Sequence, residues 1–228
     1  MAVQLALLPS PLLGPAVWAP VAAELRRTGW SVVECKSAAA APDSWEDVLD
    51  GFVAELPASH ELVLVPHSNA GLYVPALSRE RHVAAALFVD AGLPPADGAA
   101  PLAPAAFYDF LSGLAGGDDR LPPWTQWWDD ADADGLFPGP AARERVENEQ
   151  LRLPLAYFRG SVPVPAGWDE RPCGYLAFGE TYADERQRAQ ALGWPVQTLA
   201  GRHLHTLVKP REVAAAITQL LASLGLDP

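Results

Sequence analysis

Leu62-Val63-Leu64-Val65-Pro66-His67-Ser68-Asn69-Ala70-Gly71 is the stretch that decides the fold. Four β-prone aliphatics in a row read as a strand buried on both faces, the habit of parallel sheets. The run stops at a serine, and small residues with a helical pattern follow at once. A serine on so tight a strand-to-helix turn is held in a strained conformation with its hydroxyl presented to a ligand. Small neighbours are needed because strand and helix nearly touch there.

Working outward from this turn, the first half of the chain alternates strand and helix. Residues 2–8 read as a strand, followed by a Pro/Gly-rich loop over 9–15 and a helix over 17–28, with Pro20 acceptable only in its first turn. Gly29 ends that helix. Residues 30–35 form the next strand. Asp43 is the expected cap of a helix whose Trp45, Val48, Leu49, Phe52, Val53 and Leu56 recur on one face. After 62–65 and the serine turn, a helix begins near Asn69, bent at Pro75, and residues 84–89 give a fourth strand. Residues 95–168 break the rhythm, being rich in Pro, Gly, Asp and aromatics, with helices near 105–114 and 141–151. The alternation resumes with a strand at 175–178, a helix at 184–192, a strand at 196–199 and a closing helix at 213–224. Residues 38–41 read as a loop. The expectation is a single α/β domain over 1–228, a mostly parallel six-stranded sheet with helices on both faces, and a cap insertion at 95–168. Its active crevice lies at the carboxyl ends of the strands.

Composition narrows the function classes. Lys plus Arg is 16 against 28 for Asp plus Glu, a net charge of −12, which opposes binding to nucleic acid or an anionic membrane. No apolar run approaches the ~20 residues that cross a bilayer. No basic residue precedes Arg26, so the charged start of a secretory signal is missing and a soluble cytoplasmic protein is expected. Cys35 and Cys173 offer neither a disulfide framework nor metal-ligand spacing, and read as small buried apolar groups. Asp129, Asp130, Asp132 and Asp134 follow no calcium-loop pattern and read as a solvated loop.

A serine hydroxyl needs a base. Of the five histidines, His67 neighbours Ser68 on a strand and so points to the opposite face, while His60 and His82 precede strands. His203 and His205 follow the last strand, at the edge the chemistry requires.

The serine turn resembles the nucleophile elbow of the α/β-hydrolase superfamily, usually G-x-S-x-G, with Pro66 and Ala70 in the glycine positions and Gly71 next. Ala200-Gly201-Arg202-His203-Leu204-His205, with Pro210 seven residues past His203, is similar to the family's base region and selects His203 over His205. The resemblance runs from Val3 to Leu224 and implies that the family's first two strands are missing. The opening loop is similar to that of hydroxynitrile lyases and methylesterases, with Gly14 and Trp18 in place and Pro9-Ser10 where a His-Gly or His-Thr pair is usual.

What the resemblance implies for the site follows. Ser68 is the nucleophile and His203 the base. The usual acid position falls on Tyr182, so the acid is sought at Asp90, then Asp184, then Glu180; Asp90 follows the strand after the elbow, where some members carry theirs. The Asn69 N–H is one oxyanion donor. Alignment puts the other on Pro11, which has no N–H, leaving Leu12 or the Ser10 hydroxyl. In the cap, Phe107, Tyr108, Phe110, Trp124, Trp127 and Trp128 either line an apolar pocket or hold the cap to the core; Tyr108, Trp124 and Trp128 are the expected substrate contacts. No metal or organic cofactor is implied. The expected activity is cleavage of a small to medium carboxylic ester or thioester. A lyase or cyclase moving protons through Ser68 and His203, or a non-catalytic binding relative, is the alternative.

Overall fold

The structure, a computed structural model, describes residues 3–36, 42–129, 132–133 and 135–228. Residues 38–41, Asp130 and Asp134, assigned to loops above, lie outside the described residues.

Among the described residues eight strands are interspersed with helices. In chain order they are β1 (Gln4–Leu8), α1 (Ala19–Arg27), β2 (Val32–Glu34), α2 (Trp45–Glu55), β3 (Leu62–Ser68), α3 (Val74–Glu80), β4 (Val83–Ala91), β5 (Gly98–Pro101) and α4 (Ala105–Leu114). There follow α5 (Pro140–Glu147), β6 (Ser161–Val164), β7 (Cys173–Phe178), α6 (Ala183–Ala191), β8 (Val196–Leu199), α7 (His205–Val208) and α8 (Pro210–Ser223). Six strands form one parallel sheet in the order β2-β1-β3-β4-β7-β8. β3 is buried along its whole length, which is why it reads as an unbroken apolar run. α1 packs with α8 and α2 with α3, so the sheet is covered by helical layers.

Strand order fixes where a ligand can enter. The chain leaves β1 toward β2 and leaves β3 toward β4, in opposite directions across the sheet. Such a switch point opens a crevice beyond the carboxyl ends of the two strands. The loop after β1 and Ser68 at the end of β3 both lie there.

Several local expectations are corrected. The α2 cap is Ser44, not Asp43: its hydroxyl accepts from Asp47 N at 3.3 Å while Asp47 Oδ2 accepts from Ser44 N at 3.1 Å, a reciprocal box. Pro75 does not bend a helix. Residues Asn69–Tyr73 form a 3-10 turn, and Pro75 sits in the first turn of α3, where its missing N–H costs nothing. β4 runs on through Asp90 to Ala91. Within residues 95–168 the sequence concealed a two-stranded antiparallel ribbon, β5 with β6, through which the segment leaves the sheet domain and returns.

Candidate functional site

Ser68 closes β3 with φ 58°, a conformation uncommon outside glycine. Holding it costs on the order of 1–3 kcal/mol, which the surroundings must supply. The Gly92 N–H donates to the Ser68 carbonyl at 3.0 Å and pins the turn to the end of β4. A Cβ on Gly71 would lie 2.1 Å from the Gly92 carbonyl oxygen, so the glycine the elbow needs is Gly71, while Ala70 is accommodated in the core. The pairing register of β3 with β4 shifts between His67 and Ser68. Such a shift re-aims side chains at a strand end.

His203, in the loop between β8 and α7, reaches back to β4. Its Nδ1 donates to Asp90 Oδ2 at 2.7 Å, and the other carboxylate oxygen accepts the Phe178 N–H at 2.9 Å. Asp90 is 0 % exposed, and its positive φ of 44° turns the side chain off the strand alternation toward β7 and His203. A buried carboxylate with both oxygens hydrogen-bonded fixes the imidazole proton on Nδ1 and leaves Nε2 free to accept one. Of the other two acids considered, Glu180 pairs with Arg186 at 3.0 Å, and Asp184 is exposed on α6; neither bonds His203.

Behind His203 lies His67. Its ring stacks on that of His203 with centroids 4.5 Å apart, and its Nε2 donates to the His203 carbonyl at 3.0 Å. Burial foremost, and the neighbouring His203 next, hold the His67 pKa well below the ordinary histidine value. A neutral ring therefore backs the His203 imidazole and adds no charge beside it.

The loop after β1 differs from expectation. The Leu12 N–H is already given to Ser10 Oγ at 3.2 Å, so of the two candidate groups Leu12 is spent, while Ser10 only accepts in that bond and keeps its O–H to donate. Leu13 and Gly14 both donate to the Ser10 carbonyl, at 3.0 and 3.1 Å, and the Ala16 N–H goes to Glu149 Oε2 at 2.6 Å. Pro11 and Pro15 have no N–H. Every backbone donor from 11 to 16 is thus spent within the fold. Asn69 opens the 3-10 turn, so its N–H belongs to those such a turn leaves without an internal acceptor. Its side-chain Oδ1 accepts from Tyr157 at 3.2 Å.

A cavity of about 1170 Å³ opens over these groups. Ser68, Asn69, His203, Leu12 and Tyr182 line it together with Leu72, Phe107, Trp124, Trp127 and Trp128. Of the three expected substrate contacts, Trp124 and Trp128 are among the residues lining this cavity. Tyr108 does not line it: its hydroxyl accepts from Arg159 Nε at 2.6 Å, and the guanidinium lies over its ring. One residue is 100° of helix, so it is Phe107 that faces the cavity. Among the described residues, Ser68 Oγ is hydrogen-bonded to Tyr182 Oη, at 3.3 Å.

No family model matches this sequence, and no curated protein matches it either. Solved structures do. An extracellular α/β-hydrolase from a Paenibacillus species superposes with a TM-score of 0.74 at 17 % identity, over 96 % of this chain and 99 % of that one. Polyneuridine aldehyde esterase gives 0.71 at 15 % identity, over 98 % and 99 %. A pyrethroid hydrolase gives 0.71 at 17 %, over 98 % of both chains.

The chain has the α/β-hydrolase fold.

Within the α/β-hydrolase fold, two residues near the elbow escaped sequence reasoning. His67 was set aside as a base by strand alternation, and its packing against His203 was not foreseen. Tyr182 was noted only as the wrong residue at an acid position, although its place after β7 put it beside His203. Their ring centroids are 5.7 Å apart. Cys35 and Cys173 are buried, and burial pushes both thiols up to about 12, away from reactivity. No helix among the described residues is long and apolar enough to cross a membrane.

Proposed function

We propose that this protein is a serine hydrolase that cleaves a carboxylic ester or thioester of a small, largely apolar molecule. One observation carries the reading: a serine strained onto a strand end and a carboxylate-paired histidine form walls of the same cavity.

In this reading the Ser68 hydroxyl turns to His203 Nε2 once substrate is bound; catalytic hydrogen bonds that are loose without substrate tighten in the complex. Oγ attacks the carbonyl carbon, its proton passes to Nε2, and the carbonyl electron pair moves onto oxygen. Asp90 stabilises the imidazolium so formed. The Asn69 N–H holds the oxyanion. Collapse breaks the bond to the leaving group, which takes the proton from His203. Water then repeats the sequence on the acyl-enzyme and releases the acid. Residues 95–168 act as a cap whose Phe107, Trp124, Trp127 and Trp128 surround the apolar part of the substrate. The chain, the ester and one water supply all the groups used.

Release of alcohol from 4-nitrophenyl and alkyl esters tests this directly. Wild type should turn over, and Ser68→Ala and His203→Ala should fall to the solution background. Turnover surviving in Ser68→Ala would remove the nucleophile.

The spent backbone donors of residues 11–16, which leave the Ser10 hydroxyl as the one group of the two still able to donate, favour a second reading, a lyase or cyclase in which Ser68 and His203 move protons with no tetrahedral oxyanion. It requires turnover that depends on His203 while the wild type gives no acyl-enzyme.

A further inference from the structure

We propose that Tyr182 is a further catalytic residue, whose phenolic O–H donates a hydrogen bond to the leaving-group oxygen as the acyl-enzyme forms. The inference rests on the hydrolase reading above and names a role for a side chain that reading does not use.

Tyr182 Oη lies 3.3 Å from Ser68 Oγ, the atom that attacks. Its ring is 5.7 Å from that of His203, and both side chains line the cavity. Sheet order places it. The loop after β1 reaches Ser68 from one side, whereas Tyr182 follows β7 and His203 follows β8, both on the other side. The leaving group must depart on the His203 side, because the proton taken from Ser68 is returned there. A donor on that side meets the leaving oxygen, not the oxyanion.

The position is open because the acid has moved. With Asp90 on β4 holding His203, the segment after β7 is free to carry a neutral donor. When Ser68 Oγ gives its proton to His203, it can only accept from Tyr182. Once Oγ has bonded to the acyl carbon it is a poor acceptor, and the leaving oxygen, on that same carbon, lies within a small swing of the phenol. Burial, its largest cause, raises the Tyr182 pKa, so the O–H stays protonated throughout. The balance is simple: Tyr182 lends a hydrogen bond and keeps its proton. His203 supplies the proton that the alkoxide takes as its bond to carbon breaks.

The help needed grows with the basicity of the leaving group. The test is kcat/KM of wild type and Tyr182→Phe on butyrate esters of 4-nitrophenol, phenol and ethanol. Tyr182→Phe should lose at most about 3-fold on the 4-nitrophenyl ester and about 100-fold on the ethyl ester, the weight of one hydrogen-bond donor aimed at developing negative charge. Stoichiometric labelling of Tyr182→Phe by a fluorophosphonate would show that Ser68 and His203 still work. An equal loss on all three esters, or none, overturns the proposal. Should Tyr182→Phe not fold, the wild type decides: a kcat/KM nearly independent of leaving-group basicity supports the second donor, and a steep fall contradicts it. Failure of the hydrolase reading itself looks different, since Ser68→Ala would then keep its labelling and turnover.

Discussion

Replacing Asp90 by Asn tests the geometry of the site atom by atom. The Asp90 carboxylate is wholly buried, with Oδ1 on the Phe178 N–H and Oδ2 on His203 Nδ1. In Asp90→Asn the amide has one stable orientation: its oxygen must stay on Phe178, because the NH2 would otherwise face another N–H. The NH2 then faces Nδ1, which can accept it only if bare. The imidazole proton is driven to Nε2, the atom that must take the Ser68 proton. A wrong tautomer of this kind costs about 10⁴ in kcat, or roughly 5 kcal/mol of barrier. Shape is nearly unchanged, so KM should move little. The assay is kcat and KM on 4-nitrophenyl butyrate at neutral pH, with thermal unfolding to confirm folding. Asp184→Asn and Glu180→Gln serve as controls: both line the cavity, but neither carboxylate bonds His203, so both should lose far less than Asp90→Asn. Asp90→Asn within tenfold of wild type, or either control falling as far, would refute the reasoning.

Three other outcomes follow from the packing. Gly71→Ala should destabilise by about 3 kcal/mol, the upper end for overpacking, because its Cβ meets the Gly92 carbonyl; urea unfolding measures this, and a neutral result contradicts the close approach. The folded His67 refuses a proton that the unfolded chain accepts below the ordinary histidine pKa, so stability falls as pH drops through that range, by up to about 1.4 kcal/mol per pH unit for one proton. His67→Gln should flatten that fall between neutral pH and about pH 5.5, the remainder belonging to His205, whose pKa burial also lowers. Trp128→Ala removes a half-exposed wall of the cavity and should lower kcat/KM about tenfold on 4-nitrophenyl octanoate, yet hardly at all on the acetate. An equal effect on both esters would place Trp128 off the acyl path.

Much of this was legible because it is written in periodicity. The apolar run before Ser68 and the amphipathic helices around it announce a covered parallel sheet, and α4 lies where its pattern put it. The crevice at the carboxyl ends of the strands followed from the alternation, and Ser68 and His203 both line the cavity there. What stayed hidden depends on contacts between distant segments. The Leu12 N–H is spent on Ser10 Oγ, a side-chain choice that no pattern records. Tyr108 and Phe107 are neighbours in sequence, and only the rotation of α4 against the core decides which faces the ligand. The β5–β6 ribbon joins residues some sixty positions apart through strands of four residues, too short to show alternation. His67 was rightly set aside as the base, but its place behind His203 depends on a contact between segments 136 positions apart, which no strand pattern records.

The most direct test is to find which atom a mechanism-based reagent captures. Wild-type protein treated with a fluorophosphonate and digested should carry one adduct, on the peptide containing Ser68, formed far more slowly in Asp90→Asn. An adduct on any other residue, or undiminished labelling of Ser68→Ala, would contradict the account.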